Sequence, residues 1–268
     1  MGALAGTPPS LLSAPLELHG EWDKSPHQAP QTVIARMREA CLAGLRLLSD
    51  QQPARLRVDD HSSGSPAVWL HEAGSDTAWV IVDIAERAWC QLAYQFGHEL
   101  GHVFCNSWHP DAKPQNPCQW LEEALVETFS VRGLARLAQG WQKAPPFTGD
   151  AAYSDAIRDY RKNILTEYEQ LAAKQGMGSG FAAWFAANRT QAESMAGLSD
   201  YAKAALPTLL KVLEGDDRCV EDMGALNRWP SRSAAPLRDY LRHWQDSCAE
   251  LGGSGHLPQW LEHSLELV

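Results

Sequence analysis

His98, Glu99 and His102 stand in the stretch Gly97-His98-Glu99-Leu100-Gly101-His102, spaced as H-E-x-x-H. On a helix, residues four apart share a face, so both imidazoles can reach one metal ion. Glu99 lies about a quarter turn away, placed to act as general base on a metal-activated water. Imidazole nitrogen suits zinc, and a catalytic zinc usually has three protein ligands and one open position. The spacing therefore predicts one Zn2+ per chain. The competing reading is two surface histidines with a chance glutamate between them.

The surrounding elements must present these groups. Residues 78–82 form a short β-branched apolar run and predict a buried strand. A helical pattern then begins at Glu86, with Trp89, Leu92, Ala93, Phe96, Leu100 and Val103 on one apolar face. His98 and His102 lie on a different face, together with Cys105. A third ligand is needed. A histidine six residues after His102, as in the metzincin proteases, is absent, since Trp108 stands there. A second helix, around residues 120–127, supplies carboxylates instead. Glu123 and Glu127 share a face with Trp120, Ala124, Val131 and Leu134, where a carboxylate is costly unless paired or bound to metal. Glu123 as ligand and Glu127 as acceptor for a histidine N–H would satisfy both. Glu122, about 100° away on the helix, is the rival ligand. A solvated acidic stripe is the alternative account.

These motifs resemble the gluzincin metallopeptidases, especially the aminopeptidase N and glycyl aminopeptidase families. Their H-E-x-x-H-x-x-x-x-N is matched in part: Asn106 comes one residue early, and Ser107 stands where their asparagine would be. Their W-L-N-E-[GA] resembles Trp120-Leu121-Glu122-Glu123-Ala124, which implies Glu123 as ligand, with Glu122 replacing the asparagine. Thermolysin-like enzymes carry E-x-x-x-D, and Glu127 matches that acid with one extra methylene. Tyr201-Ala202-Lys203-Ala204-Ala205 resembles the families' Y-x-K-G-A helix start, which implies Tyr201 as oxyanion donor. Pro207 departs from that pattern and is expected to bend or restart the helix near its first turn. His243, His256, Tyr153 and Tyr160 are the fallback donors. No G-x-M-E-N segment precedes His98, so exopeptidase specificity does not carry over. The resemblance covers about residues 78–215 in short motifs. It implies an α+β, zincin-like fold, with a small N-terminal mixed sheet packed on the zinc helix and a mainly α-helical C-terminal lobe.

The 268 residues are 44% apolar and carry a net charge of −10. That charge argues against a nucleic-acid partner. The apolar runs are too short to span a membrane. The chain start lacks a basic segment followed by a long apolar core, so a cytoplasmic location is expected, or a periplasmic or secreted one if a signal peptide has been removed. Six cysteines at irregular spacing are no dense disulfide framework; Cys105 and Cys118 are either a staple or, as favoured here, separate thiols. Eleven tryptophans mean aromatic packing or a substrate groove. Residues 1–30, rich in Pro, Ser and Gly, read as an irregular arm. Residues 31–140 read as an α/β lobe with the zinc helices, and 141–268 as a helical lobe, together one catalytic unit. Within them, a helix is expected over 31–49, strands over 55–58, 67–71 and 78–84, and a charged helix over 151–175. The expected activity is hydrolysis of a peptide or protein substrate by zinc-activated water. The alternatives are a zinc-binding scaffold without activity, or hydrolysis of a non-peptide amide or epoxide.

Overall fold

A computed structural model describes residues 10–22, 28–61, 64–71, 76–85 and 87–267. The architecture is α+β. A four-stranded mixed sheet has the order β1-β2-β4-β3, from β1 (Leu16–Gly20), β2 (Arg55–Asp60), β3 (Ala67–Val68) and β4 (Thr77–Val82). β1, β2 and β4 run parallel, and β3 is the antiparallel edge, with Val68 opposite Val80. Period-two alternation sends Leu56, Val58, Ala78, Val80 and Val82 into the core. Arg57 lies on the other face, its guanidinium 3.8 Å from the Trp79 ring centre.

β1 corrects the reading of residues 1–30 as wholly irregular. Its short Leu-Glu-Leu-His pattern is drowned in sequence by the prolines and serines around it, and the strand is recruited by parallel pairing with β2. Residues 1–9 and 23–27 of that arm lie outside the described residues.

Helix α1 (Gln28–Leu42) buries Val33, Ile34, Met37, Cys41 and Leu42, as the periodicity predicts, but it ends before the left-handed Gly44 (φ 83°), short of the expected end at residue 49. Helix α2 (Trp89–Phe104) carries H-E-x-x-H and buries Leu92, Phe96 and Leu100. Glu86, the expected start, lies outside the described residues. Helix α3 (Gln119–Lys143) is the centre of the molecule, packed against α1, α2, α4 (Tyr153–Lys174) and α6 (Asp200–Gly215). Every residue from Trp120 to Leu134 is buried. A helix enclosed on all sides must be apolar around its circumference, so the acids it carries need partners. α3 also runs through the boundary drawn at residue 140, because Trp141 continues its buried face.

The rest is helical: α5 (Phe181–Ser194), α7 (Asp217–Asp222), α8 (Leu237–Leu251) and α9 (His256–Ser264). Pro207 does not restart α6 near its first turn; it lies in the body of a helix that runs on unbroken. Trp120, Trp184 and Trp244 are fully buried, and Trp120 stacks on Phe185 at 5.4 Å, so these tryptophans serve packing. Among the described residues all six cysteines are free thiols, Cys105 and Cys118 included. Among the described residues no helix is long and apolar enough to cross a membrane.

Candidate metal centre

Two glycines let α3 reach the histidines. A Cβ on Gly101 would stand 2.8 Å from the Val126 Cβ, and one on Gly97 would stand 2.8 Å from Ser130 Oγ. The G-H-E-L-G-H stretch thus serves packing as well as chemistry: its glycines bring α3 in contact with the face that carries the imidazoles. The Ser130 hydroxyl donates to the Tyr94 carbonyl at 2.7 Å and pins the same contact.

Across that contact lie His98, His102 and Glu123, all buried, with one ligand atom from each within 4.8 Å of the others. His98 Nε2 is 3.4 Å from Glu123 Oε2, and His102 Nε2 is 3.7 Å from the same oxygen. Ligands held tetrahedrally about 2.0–2.1 Å from one ion stand roughly 3.3–3.4 Å apart, so the spacing is near that of a zinc-type site. The group can hold a metal ion. Glu123, not the rival Glu122, belongs to it.

Each imidazole turns its other nitrogen to a carboxylate. His98 Nδ1 donates to Glu127 Oε2 at 2.7 Å, and His102 Nδ1 donates to Glu122 Oε1 at 2.8 Å. This leaves both Nε2 lone pairs for a cation, the arrangement of carboxylate–histidine–metal triads. The remaining oxygens are held too. Tyr94 and Tyr168 hydroxyls donate to Glu127 Oε1 at 2.7 and 2.9 Å, and Asn227 Nδ2 donates to Glu122 Oε2 at 2.7 Å. Glu127 therefore has the supporting part expected of it. Glu122 has an equivalent part that sequence reasoning missed. Tyr94, Tyr168 and Asn227 were also missed: α4 and the loop after α7 bring the last two in from far along the chain.

Glu99 is buried beside the group, and among the described residues nothing donates a hydrogen bond to it. Burial raises its carboxyl above the usual range, against the pull of His98 and His102. A poised carboxylate with free oxygens can take a proton. His98, Glu99, His102 and Glu123 line one cavity of about 510 Å³, with Ser65, Pro66, Ala67, Val68 and Leu70 on one side and Leu198 on another.

Tyr201 is not among the residues lining this cavity. It opens α6 half-buried against the core, three residues past Leu198. The fallback donors do not line it either. His243 packs on Trp229, His256 pairs with Asp216, Tyr153 bonds Cys90, and Tyr160 packs edge-on to Tyr94. Tyr94 is the tyrosine on the wall.

Compared with family models, curated proteins and solved structures, the chain matches none.

Four buried carboxylates around two imidazoles make a strongly anionic pocket, and buried charge of one sign must be balanced by protons or a cation. Without metal, protons do it. Burial acts to lower the His98 imidazole, but its hydrogen bonds to Glu123 and Glu127 outweigh this and hold it up at about 10. His102 is likewise raised, burial being outweighed by Glu123 and Glu122. Burial would raise Glu123, yet the two histidines hold it well below the ordinary carboxylate range. The sign follows. A raised imidazole stabilises the metal-free fold fully below its unfolded value of about 6.5, and that stability is lost as pH climbs through about 10. Metal requires neutral imidazole, so near neutral pH it must expel these protons. Apparent metal affinity should accordingly rise about tenfold per pH unit for each proton displaced. Titration against a metal indicator at several pH values, with proton release followed in weak buffer, checks this; a flat pH profile would contradict it.

Proposed function

We propose that this chain is a zinc-dependent peptidase of gluzincin type, with a zincin-like pairing of a small sheet and a helical part around its cleft, and that it cuts within peptide chains. The observation that carries the reading is Glu99: a buried carboxylate without a hydrogen-bond donor among the described residues, in the same cavity as a three-ligand group. A purely structural zinc site has four protein ligands and needs no base. His98, His102 and Glu123 would hold the zinc. When bound, zinc polarises the scissile carbonyl and lowers the pKa of a water. Glu99 takes the water's proton and later delivers it to the leaving amine. Glu127 and Glu122 keep the imidazoles aimed while charge develops. Tyr201 takes no part in these steps.

Cutting within a chain is supported by the cavity wall. β3 is an edge strand, and Trp69 N–H bonds back to the Trp79 carbonyl at 2.7 Å. In antiparallel pairing the alternate residues, Val68 and Leu70, turn their backbone groups away from β4, towards the side where an extended peptide can add as a further strand. The described lining residues include no Lys or Arg to receive a terminal carboxylate. Among the described lining residues the acids are Glu99 and Glu123, both already employed, which leaves none of these for a terminal ammonium. N-acetylated peptides should therefore be cut at least as well as free ones. Incubation of the protein with a mixed peptide library, with and without chelator, tests the whole reading. Chelator-sensitive internal cuts are expected. No cleavage by zinc-loaded protein would leave a binding scaffold, and a strict need for a free α-amine would make it an aminopeptidase.

A further inference from the structure

Support for the two histidines is drawn from different parts of the chain. Glu127, behind His98, is held by Tyr94 of α2 and Tyr168 of α4. Glu122, behind His102, is held by Asn227, which lies 105 residues further on. Asn227 is fully buried and adopts a left-handed backbone (φ 59°), a conformation asparagine tolerates better than most residues. Its amide is oriented at both ends. The Tyr240 hydroxyl of α8 donates to Oδ1 at 3.2 Å, so the NH2 faces Glu122 Oε2 at 2.7 Å and Ser107 Oγ at 3.0 Å.

The loop carrying Asn227 is tied to the end of α2. Asn106 Nδ2 donates to the Gly224 and Leu226 carbonyls at 3.1 and 2.7 Å, and Arg232 Nη1 donates to the Asn106 carbonyl at 3.0 Å. The start of α3 is tied in as well, since Cys118 N–H donates to the Ser233 carbonyl at 3.0 Å. The loop thus grips both helices that carry the ligands and sets one amide against one carboxylate. That is more than capping or packing requires.

We propose that Asn227 is a positioning residue of the metal centre: it aims Glu122 at His102 Nδ1 and makes metal retention depend on the C-terminal helical segment. This rests on the metal reading given above. A buried carboxylate bonded at one oxygen alone is free to rotate, and can turn towards the cation and compete with Glu123. Bonded at both oxygens, it stays behind His102 and fixes the tautomer with a free Nε2.

The test measures metal binding, not catalysis. Asn227→Gly keeps the left-handed backbone and removes the amide; Glu122→Gln removes the charge. Zinc affinity is read by competition with a chromophoric chelator, and site geometry by the visible spectrum of the cobalt(II) form. Each variant should weaken zinc about 10–100-fold and alter the cobalt spectrum, and the double variant should be no weaker than Glu122→Gln alone. Wild-type affinity in Asn227→Gly, or losses that multiply in the double variant, would overturn the proposal. Tyr240→Phe removes only the orienting hydroxyl and repeats the test where Asn227→Gly does not fold: a weaker site supports the proposal, an unchanged one overturns it. Failure of the wild-type protein to bind zinc at all would overturn the metal reading itself, and is distinct from equal binding by wild type and variants.

Discussion

Glu99→Gln should bind zinc as tightly as the wild type and lose nearly all hydrolysis. The amide has the volume of the carboxylate but cannot accept the water's proton. General-base work is typically worth about 10²–10⁴-fold, which corresponds to about 3–5 kcal/mol in the transition state. The structure sharpens the expectation. Because no donor among the described residues engages Glu99, its replacement breaks no hydrogen bond there, and because it is buried, its charge is a burden on the fold. The variant should therefore melt no lower than wild type while kcat collapses. Parallel measurement of zinc content, melting temperature and turnover checks this. Full activity in Glu99→Gln would remove Glu99 as the base and with it the main support for an enzyme.

The other large effect is on the metal. His98→Ala and His102→Ala should each abolish stoichiometric zinc binding, where wild type is expected to hold one ion per chain. Glu123→Ala should follow them. The losses should exceed the roughly 10–100-fold cost of removing a residue that only holds a ligand in place, such as Glu127. The fold should survive, because each change leaves supports standing: without His98, Glu127 still accepts from Tyr94 and Tyr168, and without His102, Glu122 still accepts from Asn227. Metal analysis of reconstituted, desalted protein decides it. Wild-type zinc content in the Glu123 variant would move the third ligand elsewhere, with Glu122 the nearest alternative.

The two imidazoles, the glutamate between them and the carboxylate pair on the next helix were legible in the sequence, because each is a local pattern. A four-residue spacing on one helix fixes relative direction whatever the helix packs against. For the same reason the apolar faces of α1 and α2 and the β-branched run of β4 were readable. β1 was not, because a parallel strand is stabilised by a partner, here β2, about forty residues away in sequence. The choice between Glu122 and Glu123 was also beyond a single helix: both are buried on α3, and only the close approach of α2 at Gly101 determines which one meets the Nε2 atoms and which one meets Nδ1. Tyr94, Tyr168, Tyr240 and Asn227 carry no signature at all, since a tyrosine or asparagine becomes part of a metal centre only where folding leaves its polar tip against a buried carboxylate. Side-chain type and spacing determined what could bind a metal. The packing of α4, α8 and the loop after α7 around α3 decided which groups hold the ligands, because a buried charge takes its partners from whatever the fold brings within hydrogen-bond distance.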